Sequence, residues 1–175
     1  MGKVERFCDK YYPFAYEVFC DTGFPVSSLL AQSGIETGWG VTVVGNMMFG
    51  IKDSDGLNGN EQLLSTTEYH TTKNAKYPII MSIKAVIVSG KNLYKYSVKD
   101  WFRKYDSPEE SFMDHANFLL ENKRYEQALK YRDKPTFFSR EIARAGYATG
   151  PEYEKLIIAC TLQVYNYLES KKLEQ

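Results

Sequence analysis

The chain has 175 residues, in which 22 basic side chains offset 22 acidic ones. That length suits one domain, residues 1–175, whose core needs no staples. The lack of any basic run excludes the charge footprint of a nucleic-acid binder or a membrane-surface helix. The 14 tyrosines are many, and such rings suit a sugar-stacking surface as well as a core. Cys8, Cys20 and Cys160 are odd in number, so no fully paired disulfide framework is possible. Free thiols are expected, with one bridge left open. With only His70 and His115 and no CxxC, neither a structural zinc nor another cofactor is expected. The N-terminus, MGKVERFCDKYY, has no apolar h-region, so no signal peptide is expected. No apolar run approaches the roughly 18 residues of a membrane span.

In chain order, Val4 to Lys10 reads as a short helix ending near Pro13, and Phe14 to Asp21 as a second one stopped by Gly23. Pro25 opens a third helix, in which Ala31, Ser33 and Gly34 are small enough for close approach. It ends in ETGWG, residues 36 to 40. A glycine-rich loop follows to about Asn60. Asp53-Ser54-Asp55-Gly56 within it misses the spacing of a calcium loop and reads as a polar turn. From Gln62 to Tyr105 the pattern is strand. Leu64, Thr66, Glu68 and His70 share one face, Ile79 to Val88 is apolar and β-branched, and Ser89-Gly90-Lys91-Asn92 is a turn. Ser107-Pro108-Glu109-Glu110 is a capping box, after which Phe112, Ala116, Leu119 and Leu120 point to a core. A helix from about Pro135 stops at Gly146. Thr149-Gly150-Pro151-Glu152 reads as a second capping box, opening a helix to about Lys171. Helices, a β excursion, then helices predict an α+β domain, mainly α, with a small antiparallel β-hairpin lobe flanking a groove.

Glu36 is the sharpest candidate for chemistry. It stands at a helix C-terminus, where the dipole disfavours an anion by about 0.3–1 kcal/mol, less than one pKa unit. Desolvation against aromatic walls such as Trp39 and Phe49 would raise it to a useful general acid. By pattern alone, a solvated glutamate on the polar face of an amphipathic helix fits position 36 slightly better. Glu68 could bring a second carboxylate from the β lobe, although spacing alone favours a solvated strand residue. Asp114 and His115 are adjacent on a helix, so their side chains diverge and His115 is read as a core residue.

The segment LLAQSGIETGWG (29 to 40), followed by GNMMFGIK (45 to 52), resembles the signature of glycoside hydrolase family 73. The likeness continues at STTEYH (65 to 70), SPEESFMDHANFLLENKRYEQAL (107 to 129) and IARAGYATGPEYEKLI (142 to 157), in the family's order. It implies a lysozyme-like fold and cleavage of the β-1,4 bond between N-acetylglucosamine and N-acetylmuramic acid. Glu36 matches the family's general acid, Glu68 its second, hairpin-borne glutamate, and Tyr147 a tyrosine of the catalytic groove. Trp39, Asn46 and Phe49 fall in the motif around the acid and are expected as substrate-binding or scaffold residues. The stretch from Tyr77 to Tyr105 is longer than the family pattern implies, so the β lobe is expected to be enlarged. The implied partner is the peptidoglycan glycan strand, met by a monomer in the periplasm or cell wall. With no signal peptide expected, a phage endolysin, a delivered effector or a trimmed chain fits that setting. Two other readings stand beside this one. A lytic transglycosylase would leave anhydro sugars, and a peptidoglycan-binding module would give no turnover.

Overall fold

The computed structural model describes residues 1–54 and 57–173; Asp55 and Gly56, half of the polar turn read above, lie outside them. Helix α1 spans Lys3–Thr22 without a break, where the sequence predicted two pieces meeting near Pro13. Proline removes one backbone hydrogen bond and costs about 3 kcal/mol inside a helix. Burial on one continuous face outweighs that cost, with Phe7, Cys8 and Tyr11 before the proline and Ala15 and Val18 after it. Gly23 ends the helix at φ 71°, its N–H returning 2.8 Å to Phe19 O.

Helix α2, Val26–Glu36, is the hub: every residue from Val26 to Gly34 is buried. Around it pack α1, α4 (Pro135–Arg144) and α5 (Tyr153–Ser170). Helix α3, Pro108–Glu121, begins at the expected cap, with Ser107 Oγ accepting from Glu110 N at 3.3 Å. The return bond of Glu110 goes to Asp106 N at 3.0 Å, one residue earlier than a standard capping box. Its core face is Phe112, His115, Ala116 and Leu119; Leu120, expected inside, is exposed. Two 3₁₀ turns, Lys123–Tyr125 and Ala128–Tyr131, lead on to α4.

The β lobe is a three-stranded antiparallel sheet in the order β1-β3-β2, with β1 Glu61–His70, β2 Ile79–Val88 and β3 Lys91–Arg103. Ser89 and Gly90 join β2 to β3 with φ of 49° and 76°, the pair of positive values a tight hairpin turn needs. The stretch from Tyr77 to Tyr105, where an enlarged lobe was expected, forms this long hairpin, with Tyr96, Val98 and Phe102 buried. The glycine-rich loop before β1 is stitched along the end of β3 by Arg103 N to Ile51 O, Asp53 N to Trp101 O and Tyr105 N to Gly45 O, each 2.8–3.0 Å. Arg103 Nη1 then donates to both carboxylate oxygens of Asp114, at 2.8 and 2.9 Å, and ties β3 to α3.

The second capping box does not form. Helix α5 starts at Tyr153, with Glu152 at its N-cap and no side-chain cap, and the Thr149 hydroxyl turns to the β lobe instead. All three cysteines are free. Burial pushes the Cys8 thiol up to about 12, helped by the charges of Asp9 and Glu5. Among the described residues, no helix is long and apolar enough to cross a membrane.

Candidate active site

Helix α2 stops at Glu36 because the chain beyond it coils the other way. Gly38, Trp39 and Gly40 take φ of 57°, 63° and 83°. For tryptophan this is a costly conformation, held by Trp39 N to Gly34 O at 2.6 Å and by an edge contact with Phe7 at 5.6 Å. The indole folds back onto Gly34, where an added Cβ would stand 2.4 Å from Trp39 Cε3. The small residues expected to admit a neighbour thus admit the indole of their own motif. Thr37 completes the turn, donating to Ser33 O and accepting from Gly40 N.

This turn leaves Glu36 on a groove of about 540 Å³ between the helices and the β lobe, which Glu68 and Tyr147 also line. The side chain of Glu36 is exposed in area toward the groove. Its carboxyl end is nonetheless crowded, with Oε2 only 3.1 Å from where a Gly50 Cβ would stand. Desolvation therefore raises its pKa to about 7, and the charge of Glu68 adds to the rise.

Glu68 reaches the groove from β1 and is held at both oxygens. Lys52 Nζ lies 3.1 Å from Oε1, and Thr149 Oγ1 donates to Oε2 at 2.8 Å. Thr149 also accepts from Tyr69 N at 3.3 Å, so one hydroxyl joins the loop after α4 to the β lobe. Lys52 is itself gripped by Asp100 at 2.8 Å and lies over the Tyr77 ring. Desolvation alone would lower the lysine pKa, but its bonds to Asp100 and Glu68 outweigh that and raise it.

Tyr147 follows Gly146, whose φ of 80° ends α4 in the left-handed turn expected from the sequence. Its ring stacks on Tyr153 at 6.3 Å and meets His115 edge-on at 5.6 Å. The hydroxyl is buried without a partner. Burial, then the nearby Glu36 charge, pushes its pKa far up, so it stays a donor at any physiological pH. Behind it, His115 is pushed down to about 3 by burial, stacks on Phe49 at 3.8 Å and donates from Nε2 to Gln32 Oε1.

The other three motif residues do not line this groove. Phe49 is fully buried between Phe112 and His115, Trp39 clamps the turn after α2, and Asn46 donates to Tyr105 O and Asp106 O. They shape the backbone that presents Glu36 and Gly50. Sequence reasoning missed Lys52, Asp100 and Thr149. Lys52 stood inside a quoted motif, and its charge two residues from Gly50 was the available signal. Asp100 gave none, since strand spacing does not reveal which loop crosses the strand. Among the described residues, no cluster of three His, Cys, Asp or Glu side chains could hold a metal ion.

A crowded acid at a helix end, facing a groove with a strand-borne carboxylate, on a helical body with an antiparallel lobe, is the layout of a lysozyme-like glycosidase fold. The family described as mannosyl-glycoprotein endo-beta-N-acetylglucosaminidase matches residues 12–166. The chain therefore belongs to the glucosaminidase family, the glycoside hydrolase family 73 that its motifs resemble. It is 33% identical over 172 residues to peptidoglycan hydrolase FlgJ of Vibrio parahaemolyticus, covering 95% of this chain and 48% of that protein. To the FlgJ of Pseudomonas aeruginosa it is 30% identical, covering 95% and 38%. The chain thus spans less than half the length of these relatives. In fold it is similar to the glycoside hydrolase domain of Salmonella typhimurium FlgJ, with TM-score 0.67 and 23% identity over 98% of this chain and 94% of that one. A peptidoglycan hydrolase mutant from Sphingomonas sp. A1 gives TM-score 0.71 and 24% identity over 95% and 99%.

Proposed function

We propose that the chain hydrolyses the β-1,4 bond between N-acetylglucosamine and N-acetylmuramic acid in peptidoglycan, with Glu36 as general acid. The observation that carries the reading is the crowded Glu36 carboxyl, raised to about 7, lining one groove with Glu68. A carboxyl with that pKa still holds much of its proton at neutral pH and can pass it to the departing glycosidic oxygen. As the bond breaks, the sugar ring gains oxocarbenium character. Glu68, fixed by Lys52 and Thr149, supplies negative charge beside that ring and orients the attacking group, whether water or the substrate's own acetamide. Tyr147 places a buried hydroxyl donor close to the acid. Trp39, Asn46 and Phe49 act through the scaffold. The 175 residues work as one catalytic unit and as a monomer, at the cell wall, where the substrate lies.

The test is Glu36→Gln in a cell-wall lysis assay. Activity should vanish while the circular dichroism spectrum stays that of the wild type. Turnover above about a few per cent would remove Glu36 as the acid.

A further inference from the structure

Besides the two glutamates, the groove is lined by two cations, Lys52 and Arg124. The charge of Lys52 is matched by Glu68 and Asp100 at 3.1 and 2.8 Å. Arg124 is different. Among the described residues, no carboxylate lies within ion-pair distance of it. Its contacts are aromatic: the guanidinium lies 4.6 Å over the Tyr125 ring, near whose hydroxyl it sits, and 5.8 Å over the Phe118 ring. Tyr125 is fully buried and Phe118 partly so, while Arg124 itself is exposed. The same two rings flank Tyr147 at 6.3 and 6.4 Å. A guanidinium over aromatic rings has five N–H donors, enough to leave some for a carboxylate.

An unmatched cation on the helical wall, close to Tyr147, calls for an anionic group on the substrate. In the proposed glycan, N-acetylglucosamine is neutral. Only the muramyl unit carries acid, on the substituent at C3, as a free lactyl carboxylate or as carboxylates of an attached peptide. We propose that Arg124 binds a carboxylate on the C3 substituent of the muramyl residue. The inference rests on the glycan-cleaving reading and deepens it. The strand alternates neutral and acidic units, so one fixed cation distinguishes its two kinds of glycosidic bond and sets the register in which the scissile bond meets Glu36.

The test measures dissociation constants by calorimetry in a Glu36→Gln background, so that fragments are not consumed. Four soluble fragments are compared: glycan with stem peptides, glycan stripped of peptide to free its lactyl carboxylates, and each of these with its carboxylates converted to methylamides. Adding Arg124→Gln should weaken the carboxylate-bearing fragments by about tenfold, the loss of one charge-assisted hydrogen bond in a partly open groove. The amidated fragments should lose less than about twofold, and Arg124→Lys should recover part of the loss. A loss seen with stripped glycan assigns the lactyl group; a loss confined to the peptide-bearing fragment assigns the peptide. Equal losses on charged and amidated fragments, or none on either, would overturn the proposal while leaving the glycan reading intact. If the parent protein binds no fragment at all, both fall together.

Discussion

At the scale of single residues, Glu36 sets a conflict between stability and chemistry. In the folded chain it holds its proton up to about pH 7, against an ordinary value of 4.5. Between those values the folded state binds more protons than the unfolded one, so stability falls as pH rises through the window. Glutamine has no proton to lose. Glu36→Gln should therefore melt above the wild type at pH 8 and close to it at pH 4, as read by calorimetric scans at both pH values. A lower melting temperature at pH 8 would show that the carboxyl is solvated and the acid not primed. Tyr147 poses the same conflict. A buried hydroxyl without a partner costs about 1–3 kcal/mol. Tyr147→Phe should leave the melting temperature unchanged or raised. If the hydroxyl donates to charge that develops in the transition state, kcat should fall about a hundredfold. A kcat that does not move would remove Tyr147 from the chemistry.

At the scale of elements, the loop between α4 and α5 shows how one residue type supports two structures. Thr149 followed by Pro151 and Glu152 has the sequence of a helix cap, and capping was the natural expectation. Helix α5 forms without it, its amphipathic face held by Tyr153, Ile157, Thr161, Val164 and Leu168 against the core. The hydroxyl is thus free to bridge Glu68 and Tyr69 N. Thr149→Val separates the two roles. Loss of a hydrogen bond to Glu68 should lower kcat by up to roughly tenfold. Loss of a cap would instead lower the melting temperature by about 2–4 °C for a chain of this size. A slower enzyme with an unchanged melting temperature is the expected result; a normal rate with a lower melting temperature would restore the cap. A similar local tie explains ETGWG: the left-handed run at Gly38, Trp39 and Gly40 ends α2 abruptly, and the bare Gly34 receives the indole.

At the scale of the whole molecule, what was legible in the sequence was what depends on neighbours along the chain. Strand alternation around Glu68, the glycine stop at Gly146 and the Ser107 cap each fix a local conformation, and each is found. The continuity of α1 through Pro13 was not legible, because it depends on what both halves bury. Nor was the Lys52–Glu68–Asp100 cluster, which needs a loop laid across the sheet by backbone bonds that leave no side-chain pattern. Trp39 and Phe49 were expected beside the acid as walls and are found packed behind the backbone that carries it. Composition marks them as aromatic but not as facing the groove. The pairing of Glu36 with Glu68 is the part of the site the family motifs made visible, and it carries the functional claim. That claim is tested most directly by digesting purified peptidoglycan and weighing the products after borohydride reduction. N-acetylglucosamine should stand at every new reducing end, and the Glu36→Gln digest should yield none. Muramic or anhydromuramic ends, or an intact wall after wild-type treatment, would contradict it.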